Sequence, residues 1–597
     1  VSKLIDLFGQ SNASYRKLIA DEKAAIRIIV LSRLVLFLAT VALFLVLIKP
    51  FPLMACGLIP AIAFIFLLLL RREIRISRKI RYLENRIHIN QREIDLLNQH
   101  FEKFHSGTEF QDPAHPFASD LDVFGKRSVF QLLNRSTTQA GIRKLATWLL
   151  EPLTDAASIL TRQQAVKELA GRFEWVQHFL AIGMEKKTKD SDKYEISHWL
   201  KDANHFSGQA DRWLGILLPS ITVLGLILYT CGLTSSTLLA CGATVQALYS
   251  LTKAGKVRLM QDQLSRKFDS IQRYAGLIAL IEEAGFEAEA LQNIQARLRL
   301  QHKKSSEAIT DLKKLSDALD LSHNLILAVL LNTFLLWNIN VARRIERWRA
   351  TYKNDFEGWL DAIAALEAFI SLACHAHIHP EHTFPEPVTG SFLIEALNTG
   401  HPLIAESKLV KNNFKLNDLS RVVLLTGANM AGKSTFLRTI GVNLCLAMTG
   451  APVCASRFRF SPIRLFTSLR TNDSLQANES FFYAELKRLH SLILLYEAGT
   501  PVFFLLDEIL KGTNSKDQHS GSVALIKKVM RLDGSGIIAT HDIELASLAE
   551  EMKGKLINLC FEINIHDDQL EFDYLLRPGV CQQMNASFLL KKMGISD

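Results

Sequence analysis

The stretch Thr426-Gly427-Ala428-Asn429-Met430-Ala431-Gly432-Lys433-Ser434-Thr435 decides how this chain is read. It follows the apolar run Val422 to Leu425 and opens a helical pattern from Lys433 onward. Strand, glycine-rich loop and helix in that order form the context of a phosphate-binding loop. Backbone N–H groups from Thr426 to Thr435 can wrap phosphates, and the helix N-terminus adds positive potential. In such a loop Lys433 reaches the β- and γ-phosphates and Ser434 holds Mg²⁺, so ATP and Mg²⁺ are the expected cofactors.

Downstream, Val502-Phe503-Phe504-Leu505-Leu506-Asp507-Glu508 reads as a buried strand ending in two carboxylates. A continuous apolar run of this kind suits a central parallel strand covered on both faces. Asp507 is the expected second residue of the Mg²⁺ shell, and Glu508 the group that orients or activates the attacking water. Ile537-Ile538-Ala539-Thr540-His541 is a further strand, ending in a histidine that can bond the γ-phosphate and sense its loss. The expected catalytic set is therefore Lys433, Glu508 and His541. Two more runs, Leu556 to Ile563 and Gln569 to Leu576, read as an antiparallel extension. The α/β nucleotide domain is expected over 386–597.

The N-terminal part has a different character. Leu34 to Ile48 and Phe51 to Leu70 are free of charge, with Lys49-Pro50 between them as a turn. About 20 apolar residues span a bilayer core. The spacing predicts a transmembrane hairpin at 28–48 and 51–70 within a segment 1–82, with Arg33 snorkelling to the surface. Trp213 to Thr252 also carries no charged side chain and predicts a second hairpin at 213–252. A pair of buried hairpins in a large core is the competing reading. A cleaved signal peptide is disfavoured, because the apolar run starts late and no small-residue cleavage site follows it. Arg71, Arg72, Arg75, Arg78, Lys79 and Arg81 follow the first hairpin, and Lys253, Lys256 and Arg258 follow the second. The positive-inside tendency makes these flanks cytoplasmic. The expectation is a multi-pass protein of the cytoplasmic membrane, in contact with lipid and with its soluble parts facing the cytoplasm. Leu325 to Trp337 is shorter and reads as a buried or interface helix rather than a span.

Over 83–385, around the second hairpin, the pattern is amphipathic and helical, notably from Ser128 to Leu169 and Asp262 to Leu321. His375, His377 and His379 lie on alternate positions before Pro380 and read as helix-end histidines rather than metal ligands. Composition adds bounds. The 597 residues hold eight cysteines without a CxxC pair, which argues against a cysteine zinc site or a secreted disulfide framework. The net charge of +9 favours phosphate-rich partners, either nucleic acid or lipid.

Taken together, these motifs resemble the MutS mismatch-repair family of the ABC-type ATPases. The loop Thr426 to Thr435 is similar to that family's variant, with Asn429-Met430 before Gly-Lys-Ser-Thr. Asp507-Glu508-Ile509, then Gly512-Thr513-Asn514 and Asp517, resemble its second nucleotide motif and dimer-contacting loop, and Thr540-His541 its switch histidine. Asn478 to Leu486 resembles the segment that reaches the partner's nucleotide, which carries Ser480 over as a nucleotide contact. His401-Pro402-Leu403 and Asn412-Asn413 resemble the entry to the ATPase domain, and Phe124 to Leu169 the start of the helical core or lever. The departures are Ala428 and Ala431 for the usual Pro and Gly, Phe481-Phe482 after Ser480, and Lys511 for the usual Arg. No mismatch-reading segment is found in the sequence, so the resemblance is to a membrane-anchored branch without that domain.

The resemblance implies a multidomain protein, with a helical lever carrying transmembrane hairpins and a C-terminal phosphate-loop ATPase domain. It implies a homodimer that closes on ATP and opens after hydrolysis. Two functional classes stay open. One is a membrane-anchored DNA-binding ATPase linked to DNA repair or mismatch binding, with Arg343, Arg344, Arg347 and Arg349 as basic contacts to duplex. The other is a membrane-anchored ATPase that remodels or gates a protein partner without DNA. A transporter fits less well, since the spans hold no acidic or basic residue apart from Arg33.

Overall fold

A computed structural model describes residues 2–582 apart from 48–49, 51, 185–198, 203, 207, 301–302, 322–324, 471–480, 512, 553 and 567–568. Two long helices open the chain, α1 (Ser2–Leu47) and α2 (Pro52–Leu97), each of 46 residues, and they pack on one another as a hairpin. Short helices follow: α3 (Val129–Leu133), α4 (Gln139–Leu150), α5 (Ala156–Gly171) and α6 (Phe173–Gly183). The starts of α3, α4 and α5 are set by side-chain caps. Thr138 Oγ1 accepts from Gly141 N at 3.1 Å, and Asp155 accepts from Ser158 N at 2.8 Å. A second hairpin is formed by α7 (Gln209–Thr230) and α8 (Ser236–Glu283). Then come α9 (Glu289–Ala296), α10 (Ser305–Asp320), α11 (Leu325–Leu335) and α12 (Trp337–Ile378).

Among the described residues, three helices are long and apolar enough to cross a membrane by length and composition: Ser2–Leu45, Gln209–Thr230 and Trp337–Ile378. Their apolar windows are 6%, 17% and 83% buried, respectively. The third is therefore a core helix of the protein, while the first two present their apolar side chains outward. Leu34, Val35, Phe37 and Leu38 on α1, Phe64 and Leu67 on α2, and Trp213, Ile221 and Leu224 on α7 are all more than half exposed. The alternative of hairpins buried in a large core does not hold for these faces. Helix α11 is also not buried, since Val329, Leu330 and Leu335 stand exposed. Arg33 does not snorkel alone: it bonds the Glu73 carboxylate and lies 4.8 Å from the Phe66 ring. The second hairpin is closed in the same way, by Lys253 to Asp211 at 2.8 Å and by Tyr249 to Asp211.

Each hairpin continues without a break into the helical core. Forty-six residues of α2 and 48 of α8 make helices of roughly 70 Å. The inner end of α2 is fixed by a fully buried ion pair, with Arg135 Nη2 to Glu93 Oε2 at 2.7 Å and Arg135 Nε to Glu93 Oε1 at 2.8 Å. Helix α12 is fixed by Glu367, fully buried, which accepts from Thr137 N at 2.9 Å and from the Thr137 and Thr138 hydroxyls.

The C-terminal part is α/β. A four-stranded sheet has the order β1-β5-β2-β3, with β1 (Glu386–Pro387), β2 (Leu393–Thr399), β3 (Asn412–Asn417) and β5 (Arg457–Phe460). The main sheet of six strands has the order β12-β9-β4-β8-β7-β6. Its members are β4 (Val422–Gly427), β6 (Arg464–Ser468), β7 (Val502–Asp507), β8 (Ser535–Thr540), β9 (Leu556–Phe561) and β12 (Leu576–Pro578). Strand β9 pairs parallel with β4, so Leu556 to Phe561 belongs inside the main sheet rather than to an antiparallel extension; only β12 runs antiparallel. The separate pair β10 (Asn564–His566) and β11 (Gln569–Glu571) is a small antiparallel hairpin. Helices α13 (Lys433–Thr449), α14 (Phe481–Glu497) and α15 (Ser515–Arg531) flank the sheet.

The two parts share one core. A Cβ at Gly441 on α13 would lie 2.7 Å from the Leu121 side chain, which would have to shift to admit it. Asp120 accepts from Thr467 Oγ1 at 2.6 Å and from Leu469 N at 3.2 Å, and Arg470 pairs with Asp122 at 2.7 Å.

Candidate nucleotide site

Strands β4, β8 and β7 are neighbours and all parallel, so their carboxyl ends open at one edge of the sheet. That edge receives Gly427 from β4, His541 from the end of β8, and Asp507 and Glu508 from β7. The loop between β4 and α13 turns at Gly427 (φ 156°) and Gly432 (φ 105°). Gly432 requires the left-handed region, and a Cβ there would lie 3.1 Å from the Tyr574 ring. Ala428 and Ala431 are buried beneath the loop, while Asn429 is exposed and Met430 is 80% exposed at its crest. Thr426 anchors the base of the loop: its hydroxyl donates to Leu559 O at 3.3 Å and accepts from Cys581 N at 3.1 Å.

Lys433 is buried and curls back on the loop, donating from Nζ to Gly427 O at 2.6 Å and to Ala428 O at 3.0 Å. Burial lowers its pKa, opposed by the nearby Glu508 and Asp507 charges. Ser434 and Thr435 are exposed at the first turn of α13. The Asp507 carboxyl is raised in pKa by burial, opposed by the nearby Ser434 hydroxyl. Asp507 Oδ1 is buried and has no hydrogen-bond partner among the described residues. An unpartnered buried carboxylate oxygen beside a serine hydroxyl fits a hard divalent cation, which takes oxygen ligands.

Glu508 has φ 50°, outside the strand geometry of the residues before it. Its backbone N–H donates to Ala539 O at 2.8 Å. The carboxylate lies 3.1 Å from His541 Nδ1 and 2.5 Å from Lys511 Nζ. The His541 hydrogen bond, then that of Lys511, outweigh burial and hold Glu508 down to about 2. Lys511, noted in the sequence only as a departure, is thus a direct partner of the expected catalytic carboxylate.

A cavity of ≈ 410 Å³ opens above the loop. Ala428 to Met430, Gly432 to Thr435 and Glu508 line it, and Ile404, Leu409, Phe561 and Tyr574 supply apolar and aromatic wall. His541 is not on this lining and reaches it through Glu508. Ser480 lies outside the described residues. Tyr574 carried no signal in the sequence, because it comes from beyond β11 and only the fold brings it over the loop. Asn412 holds it there, donating to Tyr574 O at 3.0 Å and accepting from Leu576 N at 2.8 Å.

Of the four arginines expected as a basic stripe, two are used inside the protein. Arg343 Nη1 donates to Arg212 O at 2.9 Å, and Arg349, buried, donates to Trp199 O at 3.1 Å. Arg344 and Arg347 remain exposed.

Residues 423–591 match the family model for MutS domain V, and residues 114–373 match that for MutS domain III. Similar curated proteins include "DNA mismatch repair protein MutS 2" of Halobacterium salinarum, 30% identical over 43% of this chain and 29% of that protein. Another is "DNA mismatch repair protein MutS" of Myxococcus xanthus, 24% identical over 79% of this chain and 56% of that protein. "MutS protein homolog 4" of Mus musculus is 28% identical over 38% of this chain and 24% of that protein. The chain thus spans well under two thirds of each of these relatives.

Proposed function

The chain belongs to the MutS family, and from that membership we propose that it is a membrane-tethered, dimeric, ATP-hydrolysing switch that engages DNA. The observation that carries the ATPase reading is the convergence of Lys433, the Ser434–Asp507 pair and the Glu508–His541 pair at one sheet edge.

The phosphates lie against the loop N–H groups and the start of α13. Lys433 releases the loop carbonyls and turns to them. Ser434 and Asp507 would hold Mg²⁺, which when bound supplies Lewis-acid stabilisation of phosphoryl charge. Glu508 orients the attacking water, and His541 holds that carboxylate in place while sensing the γ-phosphate. The wall of Leu409 and Tyr574 receives the base. Closure of two subunits needs ATP to bind the closed state more tightly than the open one. Exposed Met430 at the loop crest and the segment with Ser480 are the proposed contacts to the second subunit.

The exposed apolar faces of α1, α2 and α7 support the membrane tether, with the basic flanks inside. DNA engagement rests on the family and on the exposed Arg344 and Arg347. The inward use of Arg343 and Arg349 favours the second reading, an ATPase acting on a protein partner without DNA. Duplex titration separates the two. DNA contact predicts affinity that falls steeply with salt, and no affinity at low salt removes the first reading. For the nucleotide site itself, Lys433→Ala should abolish ATP binding measured at equilibrium; undiminished binding would refute the assignment.

A further inference from the structure

Helix α12 ends at Ile378, and the chain then folds back through Pro380 so that three imidazoles and one carboxylate meet. His375 and His379 are one turn apart, and His382 N–H donates to His379 O at 3.0 Å, which turns His382 onto the same side. The ring centroids lie 4.8 Å apart for His375–His379, 5.3 Å for His375–His382 and 4.6 Å for His379–His382. Glu381 Oε1 is 3.0 Å from His379 Nδ1 and 3.8 Å from His382 Nε2. Ligand atoms of His379, Glu381 and His382 all fall within 4.8 Å of one another. The fourth member is the telling one. His375 is fully buried, and neither of its ring nitrogens has a hydrogen-bond partner among the described residues. His379 Nε2 and His382 Nδ1 are buried and unpartnered in the same way.

Buried polar atoms left unpaired are costly, and a cluster of four such nitrogens at one point is not explained by packing. His377, on the same stretch, shows the ordinary arrangement: it stacks on Phe173 at 3.8 Å and bonds Ala170 O at 3.2 Å. We propose that His375, His379, His382 and Glu381 form a binding site for a divalent transition-metal ion of the zinc class. Three imidazoles and one carboxylate are donor types that zinc accepts and make up its usual four-coordination, and imidazole is the common ligand for this group of metals. The cations facing the cluster are Lys411 and Arg135, and Arg135 is neutralised by Glu93. An ion can arrive through the adjoining cavity of ≈ 560 Å³, which His379, Glu381 and His382 line. His401 lines both this cavity and the nucleotide cavity, so the ion would sit one side chain away from the ATP site. Its place is the joint between the core helix α12 and the first sheet, where Thr383 N donates to Val453 O at 3.1 Å.

The test uses untagged full-length protein in detergent, stripped with chelator and titrated with Zn²⁺ against a chromophoric competitor. One Zn²⁺ per chain is expected. His379→Gln/His382→Gln should weaken binding by at least about 100-fold, the upper end of what losing even an outer-shell partner costs. His519→Gln, in the half-exposed group His519, Asp542 and Glu544, should leave the affinity unchanged. Co²⁺ in place of Zn²⁺ on the unmutated chain should give the visible spectrum of a tetrahedral nitrogen-ligated ion, a readout that does not depend on any variant folding. Binding well below one equivalent, equal affinity in the double variant, or an octahedral Co²⁺ spectrum would each overturn the site.

Discussion

At the scale of single residues, the cationic and carboxylate groups of the proposed nucleotide site are tied to one another and to the loop. Lys433 is occupied by the carbonyls of Gly427 and Ala428, and Glu508 by His541 and Lys511. The His541 hydrogen bond, then that of Lys511, make Glu508 a weaker base, so in the proposed mechanism loss of the Lys511 contact raises its basicity. Lys511→Ala should therefore raise the basicity of Glu508 and alter kcat while leaving ATP affinity nearly unchanged; a change confined to affinity would place Lys511 on the nucleotide instead. Tyr574→Ala should weaken ATP binding by roughly 5- to 160-fold, since stacking on an aromatic face is worth about 1–3 kcal/mol. Tyr574→Phe should restore it, and equal loss in both would show that the ring is not the contact. His401 gives a pH signature. Burial, then Arg438, lowers it to about 4, against about 6.5 when unfolded. The unfolded chain thus takes up the proton first as pH falls. Stability from this group is complete above about 6.5 and is lost down to about 4. Melting temperature in chelator should drop between pH 7.5 and 5, and His401→Gln should flatten that slope; an unchanged slope would exclude His401 as its source.

At the scale of elements, the long helices are the connection between the apolar hairpins and the sheet. Helix α2 enters the core at the buried Arg135–Glu93 pair, and α12 is pinned by Glu367 to the start of α4. Removing one partner of a buried pair strands the other, so Glu93→Gln should cost about 3–5 kcal/mol in denaturant unfolding, whereas a loss under about 1 kcal/mol would mean the pair is not buried as described. Much of this level was legible in the sequence. The strand before Thr426, the strand ending at Asp507 and the one ending at Thr540 are uninterrupted apolar runs, and such runs announce buried parallel strands. The parallel place of Leu556–Phe561 was not legible, because pairing direction is set by which neighbours the strand finds and not by its own pattern. Tyr574 was hidden for a related reason: only the fold brings it to Asn412, far away in sequence, which holds it over the loop. His375 and His379 were visible as helix-end histidines, but only the turn through Pro380 brings His382 beside them. Lys511 stood in plain view beside Glu508, but only the turn after β7, with Glu508 at φ 50° and Leu510 at φ 61°, aims it back.

At the scale of the whole molecule, two helical hairpins with outward apolar faces are joined by one continuous core to a nucleotide cleft. Exposed apolar surface on this scale calls for cover, by lipid or by another protein. With the spans in lipid, full-length protein should stay with membranes through alkaline carbonate washing and be released by detergent; release by carbonate alone would remove the tether. A chain mixture carrying Ser480→Ala in one copy and Lys433→Ala in the other should recover part of the turnover if two subunits share each site, and none if each site is complete within one subunit. The most direct measurement of the ATP switch is steady-state hydrolysis by full-length protein in detergent, compared with Glu508→Gln, with bound ATP quantified in the same samples. We expect the variant to retain ATP while turnover falls by about 10²-fold or more. Turnover at the unmutated rate, or a variant that no longer binds ATP, would contradict the role given to Glu508 and with it the nucleotide site as described.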